Sequence, residues 1–307
     1  MVLRFQYYDC KRNHIRYLKI NNDTYSRTPT SDFKLCLKGG VKMEELIQKA
    51  AKDLADSTYA IALTGAGIST ESGIPDFRGP SGVWTKNPEM ERRAYRGYER
   101  FKQDPKEWWK ERLTTVSVLG DLEKCEPNPG HYALAELEKM GILKYVITQN
   151  VDALHEKAGN KNLYEYHGNV LKLRCISCSA RFPRSQFDLK TMLEEDKLPP
   201  LCPKCNGIIK SDGVAFGEPI PTYVAQGSIE ETGKCDLMLI CGTSAVVYPF
   251  ANLPRMARHG RNAVIIEVNA DPTPLTHEGV SDYIIQGKTG EILPKIVEAV
   301  KQIVAQR

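Results

Sequence analysis

No window of this 307-residue chain approaches the ~20 consecutive apolar residues of a membrane span, which excludes a transmembrane helix. The opening stretch, MVLRFQYYDCKRNH, breaks its apolar run with charge too early for a secretory signal, so export is not expected. An even cysteine count is also missing. Nine cysteines and no secretory signal argue against a disulfide framework and point to the reducing cytosol. There is no internal repeat and no low-complexity tract, and 41% hydrophobic with 26% charged residues is the composition of an ordinary globular protein. At roughly 150 residues per domain, the length suits two domains or one large one.

A strong charge of one sign is absent from most of the chain. Residues 1–42 hold nine Lys/Arg against three Asp/Glu, and the remainder holds 33 basic and 35 acidic residues. The net charge of +4 therefore sits in the leader, and the body is near neutral. The leader lacks sustained periodicity but carries Phe5, Tyr7, Tyr8, Tyr17, Tyr25 and Phe33. It reads as a flexible extension, as the product of an upstream start codon that is not used, or as a basic arm for nucleic acid. An intact mass beginning at Met43 would remove the last reading.

From Met43 onward the pattern is regular. Leu46, Ile47, Ala50, Ala51 and Leu54 share one face of an amphipathic helix. Short apolar runs at Tyr59–Thr64, Tyr145–Thr148, Asp236–Cys241, Ala263–Val268 and Asp282–Ile285 read as buried strands. Helical patterns at His131–Met140, Pro249–His259 and about Glu291–Val304 lie between or after them. Strands of this kind alternating with helices indicate an α/β fold, a doubly wound parallel sheet covered on both faces. Residues 85–124 read as helices without strands, and residues 171–211 hold paired cysteines. Both look like insertions that together form a smaller second lobe. The expected division is an extension at 1–42, a Rossmann-type lobe in three parts (43–84, 125–170 and 212–307), a helical module at 85–124 and a zinc-ribbon module at 171–211.

Six segments carry candidate chemistry. Gly65-Ala66-Gly67-Ile68-Ser69 follows the first strand, where a glycine turn lets backbone N–H groups approach a phosphate. It has Thr70 where the dinucleotide fingerprint wants its third glycine, so a tight turn without a ligand fits equally well. The loop Glu71–Gly79 offers Asp76, Phe77 and Arg78 side by side, as a ligand wall or a chance surface salt bridge. Gln149, Asn150 and Asp152 follow the second strand and could bind ribose or a carboxamide, or simply cap a helix. His167, before Gly168, is either a general base or a structural histidine. Gly242-Thr243-Ser244 and Asn269-Ala270-Asp271 follow two later strands and suit a second nucleotide half-site. Finally, Cys175-x-x-Cys178 and Cys202-x-x-Cys205 are separated by 23 residues. Two such pairs deliver four thiolates to one tetrahedral zinc, though redox dithiols or free thiols are alternatives. Lys172, Arg174, Lys204 and Lys210 could offset the negative charge of four thiolates. Four cysteine ligands leave no open position, so such an ion stabilises and does not catalyse.

Taken together, GAGIS, ESGIPDFRG, TQNVDALH, the later HG, the two C-x-x-C pairs, FGE, GTS and N-A-D stand in one order that resembles the sirtuin family of NAD-dependent protein-lysine deacylases. The resemblance covers about residues 43–307. It implies a Rossmann-type lobe, a smaller lobe of zinc and helical modules, and NAD between them beside an acyl-lysine peptide. By motif match it assigns Gly65, Ala66, Gly67 and Ser69 to the diphosphate. Asp76, Phe77 and Arg78 fall at the reacting end of NAD, with Asp76 and Ile74 beside the nicotinamide carboxamide, and Trp84 is a further cofactor-binding residue. Gln149, Asn150, Val151 and Asp152 fall at the ribose, the carboxamide and an ordered water, with Asn150 and Asp152 assisting catalysis. Gly242, Thr243, Ser244, Asn269, Ala270, Asp271 and Thr289 fall at the adenosine half. Val214, Phe216, Gly217 and Glu218 match the segment that pairs with the substrate backbone.

The resemblance also implies a mechanism. A neutral amide oxygen is a poor nucleophile and needs an electrophile with a good leaving group, which the nicotinamide ribose carbon provides. His167 would then act as general base on the ribose hydroxyls, and Phe77 would shield the reaction from water. Relatives that prefer succinyl or malonyl groups carry a Tyr and an Arg one helical turn apart. Counted from Pro105-x-x-Trp108, those places fall on Arg112 and Thr115, and Trp109-x-x-Arg112 is the nearest lookalike. Acetyl is therefore expected over dicarboxylic groups. The rival readings are a desuccinylase or demalonylase, a mono-ADP-ribosyltransferase using the same NAD site, and a zinc-ribbon nucleic-acid-binding protein. The near-neutral body and the lack of clustered Lys/Arg around the cysteines argue against the last.

Overall fold

The computed structural model describes residues 43–307. The proposed basic arm at 1–42 lies outside the described residues. The described residues form nine strands in chain order: β1 (Ala60–Thr64), β2 (Leu143–Thr148), β3 (Leu163–Glu165), β4 (Lys172–Cys175), β5 (Arg181–Pro183), β6 (Ile209–Ser211), β7 (Leu237–Cys241), β8 (Val264–Asn269) and β9 (Tyr283–Gln286). Six of them form one sheet in the order β3-β2-β1-β7-β8-β9, with every pairing parallel.

The apolar runs become central strands because both sheet faces are covered. Every residue of β1 and β7 is buried. Ala60 and Ala62 of β1, with Leu237, Leu239 and Cys241 of β7, enter a core that includes Ile47 and Leu54 of the first helix and Ile292, Ile296 and Val300 of the last. The alternate residues Ile61, Leu63, Met238 and Ile240 enter a second core with Val224, Leu253 and Ala257. Side chains that alternate across a strand thus feed two apolar cores. Each fully buried Ile or Leu contributes about 1.5–3 kcal/mol.

Between β1 and β7 the strand order changes direction. The chain steps outward through β2 and β3 on one side, then returns to the centre and steps outward through β8 and β9 on the other. Open parallel sheets bind ligands at such a point, beyond the carboxyl ends of the strands.

Three features differ from the sequence expectation. The segment after β1 is a 3-10 helix, Ala66–Ser72, closed by Gly73 in the left-handed region. Strand β3 was not expected, because it is only three residues long and is buried only at Glu165. The final helix begins at Thr289, two residues before the apolar pattern reveals it.

The smaller lobe is built on the antiparallel sheet β5-β4-β6. Helices at Pro88–Tyr95, Gly97–Gln103 and Pro105–Thr114 accompany it. Phe101, Trp108 and Trp109 from the helices share one core with Leu173, Phe182, Leu198 and Ile209 from the cysteine-bearing segment. Trp109 Nε1 donates to the Ile209 carbonyl at 2.9 Å, satisfying the one polar atom that this buried indole brings with it. Among the described residues, no helix is long and apolar enough to cross a membrane.

Candidate active site

The point where the strand order reverses is closed by two glycines. Gly67 N donates to the Gly242 carbonyl at 2.8 Å. A Cβ on Gly67 would stand 2.7 Å from that oxygen, and Gly242 itself has φ +61. Only glycine allows the two backbones to come this close, which is the physical content of the GAG and GTS segments. Above them lies a cleft of about 630 Å³, a size typical of ligand sites. Every NAD, peptide and catalytic residue assigned from sequence lines this one cleft. The residues come from the β1 turn (Gly65, Ala66, Gly67, Ser69), the following loop (Ile74, Asp76, Phe77, Arg78, Trp84) and the β2 end (Gln149, Asn150, Val151, Asp152). His167 joins them, as do Val214, Phe216, Gly217 and Glu218, and then Gly242, Thr243, Ser244, Asn269, Ala270, Asp271 and Thr289.

A polar network crosses the floor. Asn150 Nδ2 donates to the Gly65 carbonyl at 3.0 Å and to Ser69 Oγ at 3.1 Å. Ser69 Oγ in turn donates to Asp152 Oδ2 at 2.7 Å. Asp152 Oδ1 also accepts from Leu154 N at 3.0 Å, so both carboxylate oxygens of this buried side chain are held. With both Nδ2 hydrogens engaged, the Asn150 Oδ1 is the group left for a ligand.

Two histidines support this floor from beneath, and the sequence signalled neither as functional. His131 Nε2 lies 3.4 Å from Ser69 Oγ, and His155 Nε2 lies 2.8 Å from Thr64 Oγ1. Burial, together with the neighbouring His155, pushes His131 down to about 2; burial also brings His155 to about 4, against the pull of Asp152. Both rings are neutral near pH 7. In the sequence His131 only opens the helical pattern His131–Met140, and nothing local shows that it would reach Ser69.

His167 is half-buried on the wall of the cleft. Its Nδ1 lies 3.2 Å from the Gln149 carbonyl oxygen. A carbonyl can only accept, so Nδ1 carries the proton and Nε2 keeps its lone pair. Burial pushes this imidazole below its usual range, and the Gln149 contact opposes the shift. The ring is therefore a free base at neutral pH. Gly168, at φ +78, passes so close to the Asp212 backbone that a side chain would collide with it. The His-Gly pair is thus a base followed by an obligatory tight approach.

An aromatic cluster that includes Phe77, Trp84 and Phe216 lines the same cleft as His167. The Phe77 and Trp84 ring centroids are 4.6 Å apart, Trp84 and Phe216 are 5.9 Å apart, and Tyr95 lies 4.3 Å from Phe216. Arg78 stacks over Trp84 and pairs with Glu91 at 3.0 Å. Arg112 stacks on Trp108 and is not among the described residues lining the cleft.

At the other end, Thr243 N donates to Asn269 Oδ1 at 2.9 Å, and Gln149 Nε2 donates to Thr243 Oγ1 at 2.7 Å. Thr289 Oγ1 is buried without a partner, an orphaned hydroxyl suited to a polar ligand such as a nucleoside. Behind Asn269 sits Glu267, which is fully buried. It accepts from Asn269 Nδ2 at 3.1 Å and from the hydroxyls of Thr273, Thr276 and Ser281. The sequence reading missed Glu267 because it lies inside an apolar strand with no motif around it.

The four cysteines of the small lobe converge. Their sulfur atoms all lie within 4.8 Å of one another, with Cys175 to Cys205 at 3.5 Å and Cys178 to Cys202 at 3.7 Å. A tetrahedral zinc with ~2.3 Å bonds to sulfur requires sulfurs about 3.8 Å apart. The set fits that ion and offers it no open position. The nearby basic residues are engaged elsewhere than expected: Lys172 pairs with Glu156 and Glu165, and Arg174 and Lys210 pair with Glu218. Backbone N–H groups of Ser177 and Cys178, at 3.4 and 3.5 Å, approach Cys175 Sγ instead.

This geometry has close counterparts. The model of the Sir2 family matches residues 65–249. An NAD-dependent protein deacylase 2 of Archaeoglobus fulgidus is 44% identical over 266 residues, spanning 86% of this chain and 100% of the relative. An NAD-dependent protein deacetylase of Saccharolobus solfataricus is 42% identical over 258 residues, spanning 84% and 98%. A solved Sir2 homologue–NAD complex has a TM-score of 0.68 at 38% identity, covering 84% of this chain and 94% of that one. A Sir2 chain solved with a deacetylated p53 peptide and 3′-O-acetyl ADP-ribose has a TM-score of 0.67 at 31% identity, covering 84% and 98%.

Proposed function

The chain belongs to the Sir2 family, and from that premise we propose that it is an NAD-dependent protein-lysine deacetylase. It transfers the acetyl group of an acetyl-lysine protein to ADP-ribose and releases nicotinamide and O-acetyl-ADP-ribose. The observation that carries the reading is the neutral His167, with a free Nε2, in the same cleft as the glycine turn and the aromatic cluster. NAD, when bound, supplies an electrophilic ribose carbon with nicotinamide as its leaving group.

The chain's own residues do the rest. The Gly65–Gly67 backbone and Ser69 hold the diphosphate. Asn150 and Asp152, fixed by Ser69 and Leu154, orient the ribose and carboxamide. Asn269, Thr243, Ser244, Ala270, Asp271, Gly242 and Thr289 hold the adenosine half. His167 takes a ribose hydroxyl proton at Nε2, and its Nδ1–H bond to Gln149 keeps the ring in that tautomer. Phe77 and Trp84 keep water from the reacting carbon. The segment Val214–Glu218 pairs with the substrate backbone. Acetyl is preferred because the Tyr–Arg pair is missing, and Arg112 of its nearest lookalike stacks on Trp108 and is not among the described residues lining the cleft. One zinc on Cys175, Cys178, Cys202 and Cys205 maintains the small lobe. Four metal-binding thiols suit a reducing compartment, and the cytoplasm is the setting we assign. We assign the modules to the boundaries read from sequence: a Rossmann-type lobe at 43–84, 125–170 and 212–307, a helical module at 85–124 and a zinc-ribbon module at 171–211.

Mass spectrometry of a reaction with NAD and an acetyl-lysine peptide tests this. Free nicotinamide, deacetylated peptide and O-acetyl-ADP-ribose should appear in equal amounts. Nicotinamide with ADP-ribosylated protein would overturn it in favour of a transferase, and faster removal of succinyl than of acetyl would overturn the acyl assignment.

A pH profile gives a second check. His167 must be unprotonated to act, and burial places its pKa below the ordinary value of about 6.5. Activity should therefore hold at pH 6.5 and fall only as the pH drops through the lowered pKa. An acid limb in kcat/KM centred above 6.5 would contradict the assignment.

A further inference from the structure

Glu218 lines the cleft, yet its carboxylate is committed inward. Its Oε1 accepts from Arg174 Nη2 at 2.8 Å, and its Oε2 lies 3.1 Å from Lys210 Nζ. The same Oε2 accepts from Ala215 N at 2.9 Å, in the middle of the segment that pairs with substrate. The side chains of Arg174, Lys210 and Glu218 are 8%, 2% and 6% exposed.

The two cations are a liability of the small sheet. Arg174 on β4 and Lys210 on β6 are direct cross-strand partners, so two like charges face each other away from water. Opposed like charges destabilise a strand pair, and burial magnifies the effect. Burial pushes the Lys210 ammonium down to about 8, and Glu218 is the strongest force opposing that shift. The next pair along the register is Cys175 with Ile209, so the first zinc ligand adjoins this charged pair. Asp212 reaches Arg174 Nε only at 3.8 Å and serves Arg181 and Asn169 as well. Glu218 is therefore the anion that neutralises both cations at once, and it comes from the cleft and not from the sheet. Along the same segment, Val214 N donates to the His167 carbonyl at 2.8 Å.

We propose that Glu218 is a positioning residue that ties the substrate-pairing segment to the cysteine module, so that binding of an acyl-lysine peptide and retention of zinc are thermodynamically coupled. This rests on reading the cleft as a deacylase site. Without the Glu218 carboxylate, two buried cations repel across β4 and β6 beside Cys175, and Ala215 loses the acceptor that holds its backbone. Coupling between sites is reciprocal. A peptide that orders Val214–Glu218 must then tighten zinc binding, and zinc loss must weaken the peptide. Among the described residues, the glycine turn assigned to NAD shares no hydrogen bond or ion pair with Glu218, so NAD affinity serves as the control.

The experiment measures zinc release to a chromogenic chelator at equilibrium, with and without a saturating acetyl-lysine peptide, in the wild type and in Glu218→Gln. Peptide should raise the chelator concentration that strips half the zinc from the wild type by about tenfold. In Glu218→Gln the protection should vanish and the peptide KM should rise by about tenfold, while the NAD Kd stays within about twofold. The double variant Arg174→Met, Glu218→Gln covers the case in which the single variant does not fold. It removes the facing like charges and leaves Lys210 with the Ser211 and Gly213 carbonyls that it already holds. It should keep its zinc and still lose the peptide effect. Wild-type zinc release indifferent to peptide, or a folded variant with wild-type peptide KM and protection, would overturn the proposal. A wild type that consumes no NAD with the peptide, read as free nicotinamide in parallel samples given NAD and no chelator, would instead count against the deacetylase reading.

Discussion

Tyrosine in place of His167 should lower deacetylation by about 10²–10⁴-fold, the usual contribution of a general base, while NAD still binds. Tyrosine preserves an aromatic body on the cleft wall. With a pKa near 10, its hydroxyl cannot take a proton at neutral pH as the imidazole does. The bond from Nδ1 to the Gln149 carbonyl is lost, but Gln149 remains anchored by its side chain on Thr243 and by its own N–H on the Thr64 carbonyl. Calorimetric titration with NAD separates loss of chemistry from loss of the site. A fully active variant would mean that another group moves the proton, and the argument from tautomer and burial would fail.

The second large effect is expected from Cys175→Ala. Cys175 is 1% exposed and belongs both to the metal cluster and to the core of the small lobe. The substitution removes one of four ligands and opens a hole beside Leu173 and Ile209. Structural zinc contributes on the order of 10 kcal/mol to small folds of this kind, more than most domains have to spare. The expected result is a protein without stoichiometric zinc and with an unfolded small lobe. Tryptophan emission reports it, because Trp108 and Trp109 lie in that core and should shift to the red. The Rossmann-type lobe has separate cores and should retain its far-ultraviolet dichroism. A zinc-loaded variant with wild-type emission would show that the four sulfurs do not form one metal site.

Much of this molecule is legible in its sequence. The strands at Ala60–Thr64 and Leu237–Cys241 were readable because a strand covered on both faces is written as an unbroken apolar run. The cysteine pairs were readable because metal geometry constrains spacing, and the glycines because only glycine permits a close backbone approach. Strand β3 was not readable, since three residues with one buried position carry no periodic signal.

The sequence by itself determined the list of chemical groups, their order, the metal ligands and the resemblance that linked them. The tertiary structure alone decided how those groups pair. It set Gly67 against Gly242 and His131 beneath Ser69. It fixed the tautomer of His167 through a carbonyl on a different strand end, and it turned Glu218 inward to two cations instead of outward to substrate. The physical reason is the reach of the interactions. Burial patterns, turns and ligand spacings are local and repeat along the chain. Hydrogen bonds and ion pairs act over about 3 Å between atoms that only the parallel crossovers bring together.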